Sequence, residues 1–247
     1  MAITFKQLQK QASKLHHDLQ RFSGLSDAVV ENVLAYAKCL ARPGSGDEID
    51  DLIFIAQMSK QFNITSPTLL PLMFEAIKYP KATYATVEQF CKLICTFLCD
   101  DIEKKMDFVF SVYDINRDGT LSFSELYFFI KPCTIATDLD EDHEESTREL
   151  IELVLKISDI DENGQIEKGE FKELVRANSL YLQLLGPCLP NDKYLERFRE
   201  KIDQRSGIET KRIFHNERRS SLYELQSSRA VSLYPVILDM PSSSGYP

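Results

Sequence analysis

Two stretches of twelve residues carry oxygen-bearing side chains at a spacing that suits a hard cation. In Asp114–Glu125 the first, third and fifth positions are Asp114, Asn116 and Asp118, and the twelfth is Glu125. Ca²⁺ takes roughly six to eight oxygen ligands, and a loop of this length can wrap them around the ion. Gly119 at the sixth position permits the sharp turn that brings later residues back. Thr120 would lend its backbone carbonyl, Ser122 would hold a water, and Glu125 would reach in with both carboxylate oxygens. The second stretch, Asp159–Glu170, repeats the pattern: Asp159, Asp161 and Asn163 lead, Gly164 turns, Gln165 lends its carbonyl and Glu170 closes. Glu167, at the ninth position, adds a carboxylate near the ion. Leu121 and Ile166, both at the eighth position, are apolar and predict a short antiparallel strand pair that couples the loops.

Such loops need a helix on either side, and the flanks supply them. Met106, Val109, Phe110 and Tyr113 mark one helical face before the first loop, and Leu126, Phe129 and Ile130 another after it. Ile151, Val154 and Leu155 precede the second loop; Phe171, Leu174 and Val175 follow it. The pattern Ser146-x-x-Glu149 reads as a capping box opening the entering helix, with the acid-rich stretch 138–145 as a solvated linker before it. These are EF-hand units, and EF-hands pair.

The same spacing, counted backwards, exposes a degenerate unit. Leu70, Met73, Phe74 and Ile77 line an entering helix, and Phe90, Leu93, Ile94 and Phe97 an exiting one. Between them Lys78–Gln89 places Lys78, Pro80 and Ala82 at the first three ligand positions, so the unit should fold and bind nothing. A fainter unit occupies about residues 26–58, with Val33, Tyr36, Ala37 and Leu40 on one face. Its acids, Asp47, Glu48, Asp50 and Asp51, come too late in the loop for the usual cage. The expected fold is therefore all-α, a two-lobed EF-hand (calmodulin-like) array of helix–loop–helix pairs with a short strand pair between the Ca²⁺-binding loops. Residues 1–100 would be an N-terminal lobe with two degenerate units, 101–190 a C-terminal lobe with two binding units, and 191–247 a partly disordered tail.

Composition agrees with a globular cation binder. The chain has 43% hydrophobic and 27% charged residues, ordinary for a folded protein. Residues 191–247 hold ten Lys/Arg against eight Asp/Glu, so the net charge of −9 leaves −11 on residues 1–190. That balance argues against nucleic acid. No apolar run is long enough to insert in a membrane, the opening residues have no signal-peptide pattern, and Ala2 is incompatible with myristoylation. The expectation is a cytoplasmic protein whose six cysteines stay reduced. Cys91, Cys95 and Cys99 share a helical face, either as a thiol metal site or as small buried hydrophobes.

Two further stretches, Glu103-Lys-Lys-Met106 and Leu184-Leu-Gly-Pro-Cys-Leu-Pro190, resemble the calaxin family, and the likeness runs over roughly residues 25–195. The resemblance implies a Ca²⁺ sensor related to the neuronal calcium sensors. Its partner would be axonemal outer-arm dynein, through the heavy chain or its docking complex on the microtubules of cilia and flagella. Calaxin carries three working loops, whereas Lys78–Gln89 has lost its ligands here, and the tail is longer. The alternatives are a regulatory subunit of an enzyme, in the manner of calcineurin B, and a cytosolic Ca²⁺ buffer. Mg²⁺ would be admissible in the resting loops.

His16, His17, His143 and His215 have no metal-ligand spacing, and neither a phosphate-binding glycine loop nor a nucleophile elbow occurs. No enzymatic activity is expected. In the tail, Leu195, Phe198, Ile202 and Ile213 suggest a short amphipathic helix, and residues 193–238 are candidates to fold back over the groove of one lobe. Arg218–Ser221 resembles a kinase site, and Pro241–Pro247 has the composition of a disordered end.

Overall fold

The computed structural model describes residues 5–42, 44, 47–133 and 140–203. Four helix–strand–helix units run along the chain. The first joins α2 (Asp27–Leu40), β1 (Glu48–Ile49) and α3 (Asp51–Phe62); the second joins α4 (Leu69–Ile77), β2 (Ala85–Thr86) and α5 (Val87–Leu98). The third joins α6 (Ile102–Tyr113), β3 (Thr120–Leu121) and α7 (Phe123–Ile130). The fourth joins α8 (Asp140–Ser158), β4 (Ile166–Glu167) and α9 (Lys168–Ala177). Helix α1 (Phe5–Ser23) precedes them and α10 (Asp192–Asp203) follows. This is the all-α EF-hand architecture, with two small antiparallel strand pairs.

Those strand pairs fix which units partner. Glu48 faces Thr86 and Ile49 faces Ala85, while Thr120 faces Glu167 and Leu121 faces Ile166. In each pair the inward residue is buried: Ile49 with Ala85, Leu121 with Ile166. Because side chains alternate on a strand, two residues per strand suffice to put one into the core and leave the other near the loop. The apolar helix faces then close around rings. Phe54 packs on Phe74 and Phe90, and Tyr113 packs on Phe129 and Phe171. Phe97 meets Phe108 of the next unit at 5.8 Å, so the buried apolar residues of all four units form one contiguous cluster.

Two helices complete the first pair of units. α1 packs on α2 and α5, burying Leu19. The spacing of Leu15, Leu19 and Phe22 carries that packing face. α10 lies on α2, α3 and α5. Phe198 enters between Tyr36, at 5.3 Å, and Phe62, at 4.9 Å, and Ile202 is buried beside it. Full burial of a phenylalanine contributes about 1.5–3 kcal/mol. Polar contacts set the helix in register: Lys201 Nζ donates to Gln61 Oε1 at 2.9 Å, and Arg199 donates to the Leu98 carbonyl. The amphipathic helix expected around Leu195, Phe198 and Ile202 is therefore present and seated on the groove of the first two units. Ile213, Arg218–Ser221 and Pro241–Pro247 lie outside the described residues.

One helix start differs from the sequence reading. α8 begins at Asp140, so Ser146 lies inside it rather than capping it, and Thr147 is fully buried. The stretch read as a solvated linker is thus helical from Asp140 onward.

Cys91 and Cys95 of α5 and Cys99 just past its end are not grouped as a metal site among the described residues. Cys91 donates to the Val33 carbonyl and Cys99 to that of Thr96. Burial pushes the Cys91 thiol well above its usual range and that of Cys95 to about 11. All three side chains are buried.

Candidate cation-binding loops

The first loop hangs between α6 and α7. Asp114 caps the end of α6, its amide bonded to the Phe110 carbonyl, and its carboxylate turns inward to accept from the amides of Asp118 and Gly119 at 3.1 and 3.0 Å. Asn116 Oδ1 accepts from the Asp118 amide at 2.9 Å. Asp118 Oδ1 accepts from both the amide and the hydroxyl of Thr120. Burial pushes the Asp118 carboxyl up, but these hydrogen bonds outweigh it and hold the group below its usual range.

Glu125 closes the ring from the other side. One carboxylate oxygen accepts from the amides of Ile115 and Asn116, and the other from the amide and hydroxyl of Ser122. A buried carboxylate is costly unless its lone pairs are met, and this one, 2% exposed, has donors on both oxygens. Ser122 and Glu125 also form a reciprocal capping box at the start of α7. The residue that spans the loop is thereby fixed on the exiting helix.

The second loop is built alike. Asp159 accepts from the amides of Asn163 and Gly164 at 3.1 and 2.7 Å. Asp161 accepts from Asn163, and Asn163 Oδ1 accepts from the Gln165 amide. Glu170 reaches the amides of Ile160 and Asp161 with one oxygen and that of Glu167 with the other. Carboxylate oxygens of Asp159, Asp161 and Glu170 lie within 4.8 Å of one another, the one such acidic group among the described residues. Glu167, expected to add a carboxylate, is exposed and outside that group. Its side chain forms a reciprocal capping box with Glu170 at the start of α9.

Both loops turn the same way. Arg117 and Glu162, at the fourth positions, have φ of +62° and +58°, and Gly119 and Gly164, at the sixth, have +90° and +81°. Left-handed backbone is uncommon for residues other than glycine, and its repetition at matching positions shows a common loop path. The convergent carboxylates of the second loop, and the same residue types at the matching positions of the first, suit a hard divalent ion, and the size and flexibility of a twelve-residue loop favour Ca²⁺.

The degenerate loop keeps this path with different chemistry. Lys81, again at the fourth position, has φ of +65°, and Thr86 with Gln89 forms the capping box. At the first position Lys78 sends its ammonium into the loop, 2.5 Å from the Ala82 carbonyl and 3.0 Å from the Glu75 carboxylate. A fixed cation on the chain thus stands where the other loops present acids. In the first unit Arg42 ties up the late acids, reaching Asp50 at 2.7 Å and Glu48 at 3.4 Å.

Ion pairs link the third and fourth units, and a tyrosine ties the third to the segment after α9. Glu103 pairs with Arg176 and Lys172, and Asp107 with Lys172 and Lys168, across α6 and α9. The Tyr113 hydroxyl donates to the Gly186 carbonyl at 2.8 Å, anchoring Gly186–Pro190 with Cys188 fully buried.

Paired helix–loop–helix units with these donor sets define an EF-hand calcium-binding protein. Residues 103–176 match the family model of an EF-hand domain pair. The chain is calaxin-like: it is 28% identical to calaxin of Xenopus laevis over 196 residues, covering 78% of this chain and 93% of that one. To calaxin of Bos taurus it is 25% identical over 199 residues, 80% and 94% of the two chains. A shorter likeness, 35% over 78 residues, reaches calcineurin B of Schizosaccharomyces pombe and spans 32% of this chain and 42% of that protein. No helix among the described residues is long and apolar enough to cross a membrane.

Proposed function

We propose that the chain is a Ca²⁺ sensor that holds two ions. Asp114, Asn116, Asp118, Glu125 and the Thr120 carbonyl would bind the first, with a water on Ser122. Asp159, Asp161, Asn163, Glu170 and the Gln165 carbonyl would bind the second, with Glu167 adding a carboxylate at the ninth position. The observation that carries this reading is the convergence of the Asp159, Asp161 and Glu170 carboxylates within 4.8 Å, repeated in pattern by the hydrogen bonds of the first loop. Mg²⁺ would occupy the loops at rest, with more water retained.

Binding would act on structure through Glu125 and Glu170, each at the start of an exiting helix. As sensor EF-hands do, drawing these carboxylates onto an ion would swing α7 and α9 and uncover apolar surface for a protein partner. By resemblance to calaxin, that partner is outer-arm dynein of cilia and flagella, through its heavy chain or docking complex. We further propose the division at residues 1–100 and 101–190, with α10 of the segment after 190 completing the first lobe. The local likeness to calcineurin B supports a second reading, a regulatory subunit of an enzyme.

A calorimetric Ca²⁺ titration with Mg²⁺ present, read beside an apolar dye, tests the sensor. Two sites and a rise in dye fluorescence are expected. Two sites without a rise would make the protein a buffer, and no binding would remove the reading altogether.

A further inference from the structure

Helix α8 has a second apolar line that its own lobe does not use. Its inner face holds Thr147, Ile151 and Ser158, all buried, with Val154 and Leu155 half-buried. Beside this face run Leu150, Leu153 and Ile157, continued by Ile160 just past the helix end. They are 42%, 53%, 49% and 63% exposed. The separations of three and four residues keep Leu150, Leu153 and Ile157 in one seam along the helix, the spacing by which one helix receives another, and Ile160 follows in the loop. Isolated exposed leucines need no explanation, but an aligned run of three large apolar residues on one helix marks an interaction surface.

Charge decides what fits. Glu145, Glu149 and Glu152 stand exposed along the side of the seam away from the core, with Lys156 the one base among them; Arg148 lies farther round the helix. A second copy of α8 would bring the same acids against them, and like charges at a helix seam disfavour pairing. We infer that the outer face of α8 docks a basic amphipathic helix of a protein partner, one whose apolar seam is flanked by lysine or arginine. The groove on the first two units is already filled by Phe198 and Ile202 of α10, whereas the α8 seam is open among the described residues. The inference stands apart from the calcium reading, because the seam is exposed in the structure as described.

The test uses the full chain and two labelled designed peptides. Both are amphipathic helices with leucine seams, one flanked by lysines and the other by glutamates, and binding is read by fluorescence anisotropy. The lysine peptide is expected to bind at least tenfold more tightly than the glutamate peptide, and Leu153→Glu to weaken it at least tenfold while circular dichroism stays unchanged. Equal binding of both peptides, or no effect of Leu153→Glu, would overturn the assignment. So would a dimer of the chain that Leu153→Glu dissolves, since a second copy would then be the occupant. A high-yield amine cross-link from Lys156 to Lys211 within the monomer, lost in Leu153→Glu, would give the surface to the chain's own C-terminal segment and overturn it equally.

Discussion

The ammonium of Lys78 donates to the carbonyl oxygen of Ala82 across the mouth of a loop whose two relatives carry an aspartate in the place of Lys78. The side chain is only 10% exposed, so the loop's inward carbonyl is met by a tethered cation. Lys78→Met is expected to leave that carbonyl unpartnered and to destabilise the chain by about 1–3 kcal/mol. A lower urea midpoint with unchanged Ca²⁺ stoichiometry is the anticipated result; an unchanged midpoint would show that the ammonium does not hold the loop.

Glu125→Gln and Glu170→Gln each replace an anionic, two-oxygen closing ligand with a neutral one. Each is expected to weaken its own loop on the order of tenfold or more, about 1.4 kcal/mol or greater. The partner loop should weaken less, through the Leu121–Ile166 strand contact. Calorimetry on each variant resolves the two, and unchanged affinity at both sites would refute the assignment of these ligands.

Gly186 has φ of +130°, and a Cβ built there would sit 2.8 Å from Leu69 Cδ1. The leucine tip can move aside, but the backbone conformation remains costly for any other residue. Gly186→Ala should therefore destabilise the chain by about 1–3 kcal/mol and loosen the Tyr113 contact. Thermal melting and tyrosine fluorescence would register both effects.

Glu103 and Asp107 give stability a pH dependence. The hydrogen bond from Arg176 is the main cause holding the Glu103 carboxyl below its usual range. Burial pushes Asp107 up, but hydrogen bonds from Lys172 and Lys168 outweigh it and leave that carboxyl depressed too. Depressed folded-state values mean that the folded chain binds fewer protons than the unfolded one in this window. The contribution is complete above the unfolded values near ~4 and is lost as pH falls through the lower folded ones. Urea midpoints at descending pH should drop less steeply in Glu103→Gln than in the parent chain.

Much of this was legible because loops of this kind are local. Ligand positions, the turning glycine and the strand residue all fall within twelve letters, and the helix faces that flank them follow a 3.6-residue period. The course of Lys78 was half legible: its type shows that no cation site forms there, but only the folded loop shows the ammonium reaching Ala82. The destination of α10 was not legible, since an amphipathic pattern reveals an apolar face without saying what it meets. The start of α8 was misplaced because Ser146-x-x-Glu149 satisfies a capping pattern that also fits a helix interior.

The seating of Phe198 against Tyr36 and Phe62 sets an order of assembly. A ribosome delivers α2 and α3 early, yet the helix that seals them is made after every other described element. Until then the nascent chain carries an open aromatic surface that invites chaperones, and a premature stop before Asp192 would leave it permanently uncovered. Such long-range closure also raises contact order, which slows folding. The part synthesised first is the part that must wait.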